Sequence, residues 1–87
     1  MGYTIKYRAS VKKELKKIGQ PERAVIVKKI LLLEQNPLPK GSTKLKGSQN
    51  LYRFRCGVYR VIYQLNKGVL VIIIIRVGNR RDAYRNL

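Results

Sequence analysis

Residues 51–65 interleave arginine with aromatic and aliphatic side chains: Tyr52-Arg53-Phe54-Arg55-Cys56, then Tyr59-Arg60-Val61-Ile62-Tyr63. Alternation at a period of two is the pattern of strands whose two faces carry different chemistry. With Cys56 and Gly57 as a two-residue turn, Arg53 opposes Arg60, Arg55 opposes Val58, and Arg53, Arg55 and Arg60 gather on one face. Tyr52, Phe54, Cys56, Tyr59, Val61 and Tyr63 take the other. Like charges on opposed strands repel, so a sheet that collects three guanidinium groups points to an anion among them. Residues 77–84 add Arg80, Arg81 and Tyr84. A guanidinium is planar, permanently charged and able to hold two phosphate oxygens at once.

Other chemistries lack their residues. The chain has no histidine and only four acids, Glu14, Glu22, Glu34 and Asp82. That composition offers no His-based triad or nuclease, no ordinary zinc site and no carboxylate cluster for Mg²⁺. No glycine-rich phosphate loop is present, and Gly78-Asn79 is expected to be a turn. No metal or cofactor is expected. Cleavage of a nucleic acid would then have to run without a metal, and RNA permits this. Its 2′-hydroxyl can attack the adjacent phosphorus, leaving a 2′,3′-cyclic phosphate and a free 5′-hydroxyl. Fixed guanidinium groups stabilise the charge that grows on the phosphoryl oxygens, and in-line positioning supplies the other large contribution. Arg53, Arg55, Arg60 and Arg80 supply charge, and Tyr84 supplies a ring for an unstacked base and a hydroxyl for hydrogen bonding.

The 20 lysines and arginines against four acids give a net charge of +16 over 87 residues. Such a field attracts polyanions and makes their binding steeply dependent on salt. Lys40, Lys44 and Lys46, in a loop expected over residues 38–50, form a basic rim suited to a phosphate backbone, and Arg81 is a further surface contact. Hydrophobic residues make up 45% of the chain, enough for a packed core and too many for a disordered basic tail. The single cysteine, Cys56, forms no internal disulfide and reads as a small core residue in a reducing compartment. No secretory leader is evident, and the longest apolar run, residues 69–75, is far short of the ~20 residues a membrane helix needs. A cytoplasmic protein without a membrane partner is expected.

The elements that must position these groups are legible in order. Residues 3–8 alternate as a half-buried strand. Ser10 is a fitting cap for a helix to Ile18, with Val11, Leu15 and Ile18 inward and four lysines outward. Gly19 ends it, and Pro21 opens a second helix on which Ala24, Val27, Ile30 and Leu31 keep helical spacing while Val25, Ile26, Leu32 and Leu33 widen the apolar stripe. Residues 66–68 form a turn before residues 69–75, apolar at both parities and therefore a central strand. The expectation is a single α+β domain over residues 1–87. Its order is β-α-α-β-β-β, with a helical hairpin packed on one face of a mainly antiparallel four-stranded sheet.

Four stretches in this order resemble the RelE side of the RelE/ParE toxin superfamily: Thr43-Lys44-Leu45-Lys46-Gly47, Leu51-Tyr52-Arg53-Phe54-Arg55, Gly57-Val58-Tyr59-Arg60-Val61-Ile62-Tyr63, and Val77-Gly78-Asn79-Arg80-Arg81-Asp82-Ala83-Tyr84. The resemblance implies the RelE-like fold and a type II toxin that cuts mRNA in the ribosomal A site without a metal. It implies an acidic cognate antitoxin that wraps the toxin, with mRNA and ribosomal RNA as its other partners. Position by position, Arg53 and Arg55 match the two basic residues of the first hairpin strand, which are lysines in the best-studied members, and the base role falls to Arg55. Arg60 matches the phosphate-stabilising arginine, Arg80 the leaving-group acid, and Tyr84 the tyrosine that stacks on the substrate base. The alternatives are a ParE-type toxin that poisons DNA gyrase, or a catalytically weak RNA- or ribosome-binding homologue.

Overall fold

Alternating side chains at both ends of the chain build one sheet, and the helical periodicity between them builds its cover. The computed structural model describes residues 2–79. The elements are β1 (Thr4–Tyr7), α1 (Ala9–Lys17), α2 (Glu22–Leu32), β2 (Thr43–Lys44), β3 (Leu51–Cys56), β4 (Tyr59–Asn66) and β5 (Val71–Asn79). The sheet has five strands in the order β1-β5-β4-β3-β2. β1 runs parallel to β5, and the other neighbouring pairs are antiparallel. β5 is therefore central, as its apolar run demands. The fifth strand is the difference from expectation. β2 is two residues long, pairing Thr43 with Arg53 and Lys44 with Tyr52, too short to leave a periodic trace in a loop.

Both helices contribute to one core. Val11 and Ile18, with Ile26, Ile30 and Leu33, pack with Phe54, Cys56, Val61, Tyr63, Leu65, Ile72, Ile74 and Val77. That is the hairpin face assigned to apolar residues by alternation. A smaller cluster, Ile62 and Ile75 with Leu45, Leu51 and Ile73, lies apart from it. No helix among the described residues is long and apolar enough to cross a membrane.

Several local expectations change. Ser10 lies inside α1, whose cap residue is Arg8, and no side chain bonds at that cap. On α2, Ile26 and Ile30 are buried while Val25 and Leu32 are 47% and 61% exposed. The apolar stripe is wider than the sheet can cover. The strand expected over residues 69–75 begins at Val71, because the preceding turn takes in Leu70 at a φ of +56°. It continues to Asn79, so Gly78 and Asn79 are strand rather than turn.

The hairpin turn shifts as well. Cys56 pairs with Tyr59, Arg55 with Arg60, Phe54 with Val61 and Arg53 with Ile62. Gly57 and Val58 are the turn, not Cys56 and Gly57. Gly57 has φ +62°, and a two-residue hairpin turn with glycine first is the type II′ arrangement. The shift also keeps Cys56, 7% exposed, in the core. Pairing moves by two residues, so every side chain stays on its expected face.

β5 outruns its parallel neighbour, since β1 pairs only as far as Ile74. Beyond that point Glu14 of α1 takes over: its carboxylate accepts a hydrogen bond from the Val77 backbone N–H at 2.9 Å. The other carboxylate oxygen lies 3.9 Å from Arg76 Nε. A side chain thus replaces a strand at this edge and fixes the end of β5, which leads to Asn79.

Candidate functional site

The type II′ turn brings Arg55 and Arg60 directly opposite each other on the hairpin. Arg53 lies two residues along the same strand and so on the same face, across from Ile62 rather than from Arg60. The three arginines that were expected together are together, with Arg55 and Arg60 as the facing pair. The next strand continues the row, because Arg60 pairs with Gly78 on β5. Gly78 has no side chain to cover its neighbours, so the surface beside Arg60 is concave there. Arg55, Gly57, Val58, Arg60 and Asn79 line a cavity of about 260 Å³.

The two guanidinium groups differ in setting. Arg55 is exposed, while Arg60 is only 8% exposed and is the buried charged residue among those described. A buried guanidinium is held in one place by its surroundings, and it stays a donor-only cation. An exposed one can follow a ligand. The arrangement combines a fixed cation with a mobile one across a shallow cavity, which suits an anion with several oxygens, such as a phosphodiester. Direct opposition of like charges is unfavourable in the empty site, and an anion between them reverses the sign of that contribution.

Phe54 and Tyr63 hold the strands from the other side. Tyr52 stacks on Tyr63 with ring centroids 5.9 Å apart, and Phe54 packs against Tyr63 at 6.2 Å. Tyr63 is fully buried, and its hydroxyl donates to the Pro37 carbonyl at 2.7 Å. Burial pushes the Tyr63 hydroxyl up to about 12, a hydrogen bond from Ser42 offsets part of this, and the Tyr52 hydroxyl nearby adds to it. One core tyrosine therefore anchors the loop between α2 and β2 at Pro37 and at Ser42.

That loop carries Lys40, which lines a second pocket of about 350 Å³ with Lys29, Leu32, Pro39, Gly41, Phe54 and Arg55. Lys44 lies on the edge strand, paired with Tyr52 and hence off the arginine face. Lys46 follows in the next turn; both are exposed. Arg80, Arg81 and Tyr84 lie outside the described residues. Asn79 and Lys29 were missed by reasoning from sequence. Asn79 was hidden by the expectation of a turn at Gly78-Asn79. Lys29 gave no signal beyond its place in the last turn of a basic helix. The excess apolar width of α2, which leaves Leu32 uncovered, was the available clue.

Comparison with known proteins supplies independent information. The sequence profile of the ParE toxin family, described as the ParE toxin of the type II toxin-antitoxin system parDE, matches residues 5–84. The candidate toxin RelE1 of Methanocaldococcus jannaschii is 33% identical over 89 residues, spanning 99% of both chains. The mRNA interferase toxin RelE of Escherichia coli K12 is 29% identical over 85 residues, covering 95% of this chain and 88% of that one. Among solved structures, the archaeal RelE-RelB complex from Pyrococcus horikoshii OT3 superposes with a TM-score of 0.82 at 33% identity, over 92% of this chain and 97% of its counterpart.

Proposed function

This chain belongs to the ParE toxin family of type II toxin–antitoxin systems, as a RelE-like toxin, and we propose that it is an mRNA endoribonuclease acting in the ribosomal A site. The observation that supports this best is the facing pair of Arg55 and Arg60 in one cavity. In this reading the scissile phosphate lies between them. The ribose 2′-oxygen forms a bond to phosphorus as the bond to the 5′-oxygen breaks, giving a 2′,3′-cyclic phosphate and a 5′-hydroxyl. Arg60 holds the phosphoryl oxygens where charge develops. Arg53 and Arg55 add charge from the same face. A guanidinium offers donors and no acceptor, so Arg55 does not take the 2′-hydroxyl proton, which leaves to water. Arg80, joined directly to the cavity residue Asn79, donates a hydrogen bond to the departing 5′-oxygen, which takes its proton from water. Tyr84 stacks on a substrate base. Lys40, Lys44, Lys46 and Arg81 meet the phosphates of mRNA and ribosomal RNA. No metal is used in this route. The ribosome contributes by holding mRNA in a reactive geometry, so free RNA is a poor substrate.

An acidic antitoxin is the protein partner in this proposal, as RelB is in the RelE complexes solved from archaea and from Escherichia coli. A groove of about 430 Å³ between the helices suits its apolar anchors, with Leu15, Ala24, Val27 and Leu31 as floor and Arg23 and Lys28 as basic rim. Net charge +16 speeds its association.

The family profile carries the ParE name, which keeps gyrase poisoning as the rival. The two separate in one experiment. Purified protein is added to ribosomes programmed with mRNA, and breaks are mapped by primer extension. New 5′ ends at the A-site codon are expected. Intact mRNA, together with trapped DNA cleavage complexes in a gyrase assay, would replace this reading with the rival. Intact mRNA with tight ribosome binding would identify a non-cleaving homologue.

A further inference from the structure

We propose that the pocket lined by Lys29, Leu32, Pro39, Lys40, Phe54 and Arg55 is a second nucleotide subsite, seating the base of a nucleotide one step beyond the two joined by the scissile phosphate; this rests on the RNA-cleaving role proposed above. The pocket encloses about 350 Å³ between the last turn of α2, the loop after it and β3. Its floor is apolar, formed by Leu32, Pro39 and Phe54, and Leu32 is 61% exposed on it. Its rim is cationic, with Lys29, Lys40 and Arg55 and no acidic residue.

Arg55 connects this pocket to the arginine cavity, because it lines both. β2 pairs with β3 only at Tyr52 and Arg53, so β2 does not cover the strand edge at Phe54 and Arg55. A strand of RNA with one phosphate between Arg55 and Arg60 passes over that edge. Its neighbouring base then reaches the apolar floor, and its neighbouring phosphate reaches Lys29 and Lys40. Alternating cations and apolar platforms are how proteins track single-stranded nucleic acid. A peptide would fill an apolar pocket too, but continuity with a phosphate-sized cavity through a shared arginine favours the polyanion. The polar side chains of the pocket are all cations on the rim. The subsite accordingly accepts any base, with little discrimination among them.

The platform is held in place from the core. Tyr63 donates to the Pro37 carbonyl and is hydrogen-bonded with Ser42, one residue from each end of the loop segment 38–41 that supplies Pro39, Lys40 and Gly41.

The test is abasic scanning of a 2′-O-methyl hexanucleotide, which cannot be cleaved, against the parent and Leu32→Ser. Affinity is read by fluorescence anisotropy, and mRNA cleavage on ribosomes is measured in parallel. Leu32 is exposed, so the variant is expected to melt as the parent does. In the parent, one abasic position outside the two nucleotides at the scissile phosphate is expected to weaken binding on the order of tenfold. In Leu32→Ser that loss is already present, and the abasic substitution adds nothing. Sensitivity that persists unchanged in Leu32→Ser, or no sensitive position outside those two nucleotides, overturns the subsite and leaves the nuclease standing if the parent cuts mRNA. Loss of affinity for an acidic antitoxin peptide with hexanucleotide binding unchanged assigns the pocket to the protein partner instead. A parent that neither binds the hexanucleotide nor cuts mRNA removes the subsite and the nuclease together.

Discussion

The two faces of the β3–β4 hairpin are built from alternating residues of the same ten positions and do opposite things. One face, with Tyr52, Phe54, Cys56, Tyr59, Val61 and Tyr63, joins the helices in the main core. The other carries Arg53, Arg55 and Arg60 beside only a small apolar cluster. On the first face every opposed pair is attractive. On the second, Arg55 faces Arg60 and repels it. The repulsion is tolerable because the core face sets the register: slipping by one residue would send the whole apolar set outward. Stability is concentrated on one side of the hairpin so that charge can be concentrated on the other.

The largest test of that division is to remove the charge. Arg60→Ala is expected to lower mRNA cleavage on ribosomes by about 10²–10³-fold, the scale of losing one preorganised transition-state donor. Arg55→Ala should lower it too, and should raise stability by roughly 0.2–1 kcal/mol at low salt by ending the opposition. Denaturant melts read the second effect and primer extension the first. If Arg55→Ala destabilised the fold while cleavage stayed at the parent's level, the roles of the two faces would be reversed.

A test from the core side uses pH. Unfolded, Tyr63 ionises near its ordinary value of 10; in the folded chain it holds its proton to about 12. Above pH 10 the unfolded chain gives up this proton first, so the contribution of Tyr63 is intact below 10 and is lost as pH rises to about 12. Roughly 3 kcal/mol is at stake over that interval. The measured quantity is the difference from Tyr63→Phe, in which every other group is common to both proteins. That variant lacks the titration and is expected to show the flatter stability profile. At neutral pH it should cost about 1 kcal/mol, from the hydrogen bond to Pro37. Equal slopes for both proteins would place Tyr63 outside the set of groups that fix the hairpin.

How much of this was legible beforehand follows the same division. Face assignment needed only parity, and parity survives any slip of two residues. Arg53, Arg55 and Arg60 were therefore placed on one face even though their partners were misassigned. The central position of β5 was legible because a run apolar at both parities has nowhere else to go. β2 was not, because two residues carry no period. The pocket beside Arg55 was not, because it joins α2, the loop and β3, and no local spacing records such a junction. Exposed Leu32 on an over-wide stripe was its one local trace. Lys40 was chosen from composition and lines that pocket; Lys44 and Lys46 were chosen the same way and lie on the edge strand and the following turn.

The last test, with the least expected change in cleavage, concerns the turn that sets which arginines meet. Gly57 holds φ +62°, and a Cβ placed there would touch nothing within 4 Å. Any cost of Gly57→Ala is therefore conformational, about 1–2 kcal/mol for a left-handed residue with a side chain. Asparagine, with glycine and aspartate, is found in primed turns, so Gly57→Asn is expected to cost less than Gly57→Ala. Neither change alters which residues share a face, and cleavage per folded molecule should stay with the parent's if the turn keeps its place. A turn that moved back to Cys56 and Gly57 would set Arg60 against Arg53 and leave Arg55 opposite Val58. Both faces would keep their composition, while the facing pair that flanks the cavity would be gone. Loss of cleavage beyond the loss of folded protein in Gly57→Ala would therefore show that the site depends on this one opposition and not on the face as a whole.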